Sequence, residues 1–154
     1  MIVWNLRQIG NLATMKHITL LFLFIALGFG SQAQEVDLKA IDFVNKFYKA
    51  VVSHNQKKVI KCMDKAYRKE QIAFLDGNKE QFVNELFGGS DISSGKWVNL
   101  KLNEIDNIEI QDVFERGENE WEYVFHAKSG ETIIEVSLTL RKTGKKFGFV
   151  GAVG

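Results

Sequence analysis

Residues 120–140 read EWEYVFHAKSGETIIEVSLTL, and this stretch decides the fold. Before Ser129 and Gly130 aromatic residues alternate with polar ones, and after this pair aliphatic residues alternate in the same way. Such alternation predicts two half-buried strands, and the Ser-Gly pair predicts a hairpin turn between them. One face of this hairpin is therefore expected to be buried. Its predicted members are Trp121, Tyr123, Phe125, Ile134, Val136, Leu138 and Leu140.

The alternating period extends in both directions from this hairpin. It begins at Trp97, with Leu100 and Leu102, and continues through residues 108–110. A slip at residues 111–112 predicts a β-bulge. A turn at residues 143–145 leads to a last strand that contains two phenylalanines. About four antiparallel strands are predicted.

The residues before Trp97 have a helical period instead. Asn78, followed by Gln81, is a capping-box signal for the start of one helix. Gly88 and Gly89 are predicted to end that helix, and residues 90–96, rich in Gly and Ser, predict a loop. Helices followed by strands indicate an α+β domain, with the helices packed on a curved sheet. The helical segments are predicted at about 36–53, 56–63, 67–75 and 78–87.

The first 33 residues of the chain contain the pattern of an export signal. Lys16 and His17 follow Met15, and an apolar run of 12 residues, 18–29, comes next. Ser31 and Ala33 are small residues at the spacing of a cleavage site. We therefore expect residues 15–33 to be a secretory signal peptide. Residues 1–14 are explained as an over-long gene start or as a long n-region, and residues 34–154 as a single domain.

The residue after this cleavage site bears on localisation. Gln34 stands where a lipoprotein would need a cysteine. The predicted product is therefore soluble and unanchored, in the periplasm or outside the cell. Cys62 is the only cysteine, so no intramolecular disulfide is possible.

Composition excludes a strong overall electrostatic field. The chain has a formal net charge of +1, which becomes −1 in the predicted domain from Gln34 onward, because Arg7 and Lys16 lie before it. Nothing in this balance indicates a nucleic acid or an anionic membrane as a partner. No His, Cys and carboxylate residues have metal-ligand spacing, and no cofactor motif is present, so neither a metal nor a cofactor is expected.

The order of elements resembles the nuclear transport factor 2-like (cystatin-like) α+β cone superfamily. The segments that carry the resemblance are 42–48 (DFVNKFY), 54–59 (HNQKKV) and 146–151 (KFGFVG). With its signal peptide, the chain is similar to small exported proteins of Bacteroidetes. The resemblance implies a conical fold that encloses a pocket. It implies no reaction, because such folds support enzymes, binding modules and dimerisation domains.

Three residues are candidates for chemistry. His126 is a candidate because imidazole is a common acid–base group, and it could approach Glu135 across the hairpin, although a surface position is favoured. Asp64 follows the second helix, where a solvated helix end is the simpler interpretation. Tyr67 is interpreted more simply as a core residue, and Cys62 as a buried apolar side chain.

The absence of a catalytic motif favours a binding module over an enzyme. We expect an exported domain with an apolar pocket that takes a small apolar ligand or a partner. Two alternatives stay open. One is a small lyase or isomerase that uses a pocket carboxylate or histidine with a tyrosine, and the other is a structural homodimer.

Overall fold

The computed structural model describes the backbone of residues 38–153 and the side chains of residues 38–151. The predicted signal peptide, the proposed gene start and the first residues of the predicted domain lie outside the described residues. Four helices come first: α1 (Leu38–Val52), α2 (Gln56–Cys62), α3 (Lys65–Phe74) and α4 (Lys79–Glu85). Six strands follow: β1 (Gly88–Asp91), β2 (Trp97–Asn99), β3 (Asn107–Gly117), β4 (Glu120–Ser129), β5 (Thr132–Thr143) and β6 (Lys146–Val153).

Side-chain caps fix where three of the helices begin. Asn55 caps α2, Asp64 caps α3 and Asn78 caps α4. At α4 the backbone N–H of Gln81 donates to Asn78 Oδ1 at 2.9 Å, as the capping-box pattern predicted. Each cap satisfies a backbone donor that the first turn of a helix leaves without an intrahelical partner.

The strands form one antiparallel sheet. Its order is β2-β1-β5-β4-β3. β1 pairs with the first half of β5, and β6 pairs with residues 137–143 of β5 on the same side. The predicted hairpin forms as expected, with Trp121 opposite Leu140 and Ser129 opposite Thr132. The predicted bulge is confirmed by a register shift between Ile110 and Asp112, and a second shift lies nearer the end of β3.

Two predictions about the segment after α4 were wrong. Residues Gly88–Asp91 are a strand rather than a helix end and a loop, so the sheet has six strands and not about four. Leu102 belongs to a short 3₁₀ turn, Leu102–Glu104, and not to an alternating strand. β1 contains no β-branched or aromatic residue, so its strand structure depends on pairing with β2 and β5 rather than on its own propensity.

Phenylalanine rings fill the space between the helices and the sheet. Phe47 of α1 is fully buried, 4.8 Å between centroids from Phe149 and 5.8 Å from Phe125. Phe87 stacks on Phe47 from the end of α4. Rings at these separations add to the stabilisation from burial of their apolar area. The predicted buried face of β4 and β5 points into this core, with Trp121 only partly covered.

Within residues 38–153, no helix combines the length and the apolar character needed to cross a bilayer. The α+β class predicted from the sequence is confirmed: four helices pack on a curved antiparallel sheet that does not close on itself.

Candidate functional site

Asp64 has a structural task at the start of α3. Its Oδ1 accepts hydrogen bonds from the backbone N–H groups of Ala66 at 2.8 Å and Tyr67 at 3.2 Å. Its own N–H donates to the carbonyl oxygen of Phe149 at 2.8 Å. The carboxylate is therefore engaged in capping, and the backbone joins α3 to β6.

Tyr67 lies one turn further along α3. Its ring is half-buried and packs against Phe82 of α4, with 6.1 Å between ring centroids. Tyr67 therefore packs against the core as a partly buried residue and is not one of the fully buried core residues.

His126 lies on the opposite side of the sheet. Phe125, its neighbour in β4, points into the core, so His126 points to the open face, where 27% of its side chain is exposed. Its Nε2 is 3.8 Å from Glu135 Oε2, the cross-strand approach that the sequence suggested. Because the sheet separates His126 from Asp64 and Tyr67, the three candidates do not form one site.

The interior of the described domain holds no carboxylate, histidine, lysine or arginine side chain. Among residues 38–151, no polar or charged residue is buried. Cys62 is buried, and burial raises the pKa of its thiol from the ordinary 9.0 to about 11, although the Lys46 charge acts in the opposite direction. A neutral, covered thiol is a poor nucleophile. No three His, Cys, Asp or Glu side chains of the described part could hold a metal ion together.

A polar cleft lies where α4 faces β2. It is shallow and largely open to solvent, with a volume of about 410 Å³. The lining consists of four carboxamides and two carboxylates, with no basic residue. These residues are Asn78, Glu80, Gln81, Asn84, Glu85 and Asn99. The cleft therefore differs in chemistry from the apolar pocket predicted from the sequence.

Hydrogen bonds hold part of this lining in place. Gln81 Nε2 donates to Glu85 Oε1 at 2.9 Å, and Asn84 Oδ1 accepts from the backbone N–H of Leu102 at 3.2 Å. In the part of the chain that the structure describes, the side chains of Glu80 and Asn99 make no hydrogen bond. These two side chains, with the Asn84 amide N–H groups, can therefore bond to a ligand.

An exposed tryptophan lies beside the cleft. Trp97 is 57% exposed, and it lies on the same face of β2 as Asn99. Both side chains converge over Gly88 of β1: a Cβ there would lie 2.3 Å from Asn99 Oδ1 and 3.0 Å from Trp97 Cζ2. The glycine thus provides the space in which the amide and the indole lie side by side.

Sequence reasoning missed this site. Asn78 and Gln81 were recognised, but only as a helix cap, while Trp97 was interpreted as the start of an alternating strand. The signal available in the sequence was the polar face of the helix at residues 78–85. It could have been combined with Trp97 and Asn99, which share one face of the strand that follows. No protein-family model, curated protein or solved structure significantly matches the chain.

Proposed function

We propose that this domain is a non-catalytic binding module that holds a small, neutral, hydroxyl-rich ligand such as a sugar in the cleft between α4 and β2. One observation carries the proposal. The residues that line the cleft carry carboxamides and carboxylates, and an exposed indole lies beside it. The Asn99 side chain lines the cleft and also lies next to this indole.

The chemistry of the lining matches a polyol better than an apolar ligand. Carboxamides both donate and accept hydrogen bonds, and carboxylates accept strong ones from hydroxyl groups. The Trp97 ring offers an apolar face on which the C–H groups of a sugar ring can pack. Glu80 and Glu85, with no basic residue in the lining, disfavour anionic ligands.

Titration by NMR tests the proposal. Neutral mono- and disaccharides are added to the labelled protein, with gluconate as the anionic comparison. We expect shifts of the Trp97 indole and of the Asn84 and Asn99 side-chain amides. Shifts spread over the surface, or no shift with any neutral sugar, would contradict a sugar site in this cleft.

Two variants separate the cleft from the rest of the surface. Asn99→Ala removes an unpaired lining amide and is expected to weaken binding about tenfold, the effect of one lost hydrogen bond. Asn103→Ala removes an exposed amide outside the lining and should leave the affinity unchanged. Equal losses in both variants would refute the assignment.

The lyase or isomerase alternative receives no support from the site. It requires an inward carboxylate or histidine beside a tyrosine, and His126 faces away from Tyr67. We also propose that the chain belongs to the α+β cone superfamily, supported by helices that precede a curved antiparallel sheet.

Export in soluble form, with processing near Gln34, is part of the same proposal. It is supported by the three-part pattern of residues 15–33. Mass spectrometry of the protein recovered from outside the cytoplasm tests it, and an intact N-terminal segment would contradict it. A homodimer packed through the sheets stays a prediction, which light scattering at micromolar concentration tests.

A further inference from the structure

Five lysines on consecutive helices form what we call the lysine surface. They are Lys57, Lys58 and Lys61 of α2, with Lys65 and Lys69 of α3. All five are exposed, and none takes part in an ion pair within the described residues. Positive charge is therefore concentrated along residues 56–69, while Glu70 follows Lys69 directly and Glu80 and Glu85 lie on α4, which contacts both helices.

The residues between these lysines do not offset the charge. From Gln56 to Lys69 six residues are basic and one, Asp64, is acidic. The Asp64 carboxylate is held by the backbone N–H groups at the start of α3. The sixth basic residue, Arg68, donates from Nη1 to the carbonyl oxygen of Ile60 at 3.2 Å, so its guanidinium is turned towards α2.

The β3–β4 hairpin carries the opposite charge at the other edge of the sheet. From Glu109 to Glu122 six residues are acidic and one, Arg116, is basic. β3 is the last strand in the sheet order. α3 is joined by a hydrogen bond to β6, and both β5 and β4 lie between β6 and β3. Two of these six acidic residues are paired, Glu122 with Arg116 and Glu120 with Arg141 of β5. The hairpin is therefore acidic but partly compensated, and the near-zero net charge conceals a partial separation of charge across the domain.

We propose that the lysine surface docks the protein on a bilayer that contains anionic phospholipid. Clusters of four to eight basic residues on a helical surface are typical of binding to anionic lipid. The charge separation would orient the approaching domain, with the acidic hairpin directed away from the bilayer. This proposal involves a different surface from the cleft and does not depend on a sugar ligand.

The type of basic residue favours a lipid surface over a nucleic acid. Lysine is a strongly hydrated point charge on a flexible stem, suited to diffuse attraction, whereas arginine binds single phosphates through two parallel hydrogen bonds. The lysine surface contains no arginine, since Arg68 is turned inward. α2, which carries three of the five lysines, has no aromatic side chain on which bases could stack, and the Tyr67 ring of α3 packs against Phe82.

Vesicle sedimentation tests the proposal with the purified chain. Vesicles of phosphatidylcholine alone are compared with vesicles that also contain phosphatidylglycerol. We expect binding to the anionic vesicles only, and its loss when salt rises from about 0.05 M to about 0.5 M, where screening is strong. No binding to anionic vesicles at low salt would overturn the proposal.

Charge-matched variants locate the surface. The triple variant K57Q/K58Q/K61Q is expected to lose about 100-fold in partitioning, at about fivefold for each lysine. The control K96Q/K128Q/K145Q has the same net charge and replaces exposed lysines elsewhere, so its partitioning should change less than about threefold.

Two outcomes would refute this assignment. One is an equal loss in both variants, and the other is binding to a DNA duplex without binding to anionic vesicles. The double variant K65Q/K69Q repeats the test on α3 and is expected to lose about 25-fold. Sugar titrations on all variants should be unchanged, which separates this proposal from that for the cleft.

Discussion

Neighbouring glycines in β1 should respond very differently to the same added methyl group. A Cβ on Gly89 would lie 2.0 Å from the backbone carbonyl oxygen of Glu135 in β5. A Cβ on Gly88 would meet only side-chain atoms, those of Asn99 and Trp97. Side chains can rotate away, whereas a backbone carbonyl in a paired strand can move only if the strands separate.

The expected magnitudes follow from that difference. Overpacking typically costs 1–3 kcal/mol, and we expect Gly89→Ala to reach the upper end, about 3 kcal/mol, because β1 must leave β5. In a domain of this size that lowers the midpoint of thermal unfolding by about 12 °C. Gly88→Ala should stay within about 0.5 kcal/mol of the wild type, since alanine also restricts the unfolded chain and thereby favours folding.

Thermal and urea unfolding of the two variants, followed by circular dichroism, provide the measurement. Equal midpoints, or a larger loss for Gly88→Ala, would refute the argument that β1 is held by its close approach to β5. Gly88→Ala has a second expected effect, because it displaces the Asn99 amide. Sugar binding in the cleft should weaken in this variant although its stability does not change.

Three further predictions concern α3, β6 and the buried thiol. Gly148→Ala should lower the free energy of unfolding in urea by about 1–3 kcal/mol, because its Cβ would lie 2.9 Å from Asp64 Cα. Gly151→Ala is the control and should cost little, because a Cβ there would meet no atom within 4 Å. Asp64→Ala should lower the free energy of unfolding by about 1 kcal/mol, because the cap of α3 is lost, and Asp64→Asn should lower it less, because the amide oxygen can still accept the capping hydrogen bonds. Equal losses would show that the negative charge matters more than the accepting oxygen. The unfolded chain releases the Cys62 proton near pH 9.0 and the folded chain near 11, so the stability from the neutral thiol is lost as pH rises through this window. The free energy of unfolding of the wild type, taken relative to that of Cys62→Ala, should therefore fall by about 2–3 kcal/mol over this pH window. Curves that stay parallel would contradict the raised pKa.

Local signals predicted the elements that local interactions determine. The Asn78 cap and the hairpin at residues 129–130 depend on a few neighbouring residues, so short patterns sufficed for both. β1 was missed because Gly88–Asp91 has no strand propensity, and its structure comes from partners distant in the sequence. Its glycines were interpreted as a helix end, although their small size is what allows close approach to β5.

The candidate site was harder to predict than the fold. Asn99 and α4 form one cleft only because β1 turns the chain back between them, so a missed strand meant a missed site. Charge was concealed in a similar way. Counting over the whole chain averages the lysine surface against the acidic hairpin, and only the sheet order shows that they lie at opposite edges.

The two register shifts in β3 have a consequence for aggregation. β3 is an edge strand, and an unpaired edge invites strands from other molecules to extend the sheet. Shifts after Ile110 and after Glu115 interrupt the regular row of donors and acceptors that an added strand would need. The acidic side chains along the same strand also repel a second copy of it. Along β6, which borders β5 beyond β1, an isolated bridge joins Met63 to Phe149 and the Asp64 N–H donates to the Phe149 carbonyl oxygen, so part of that edge is already paired.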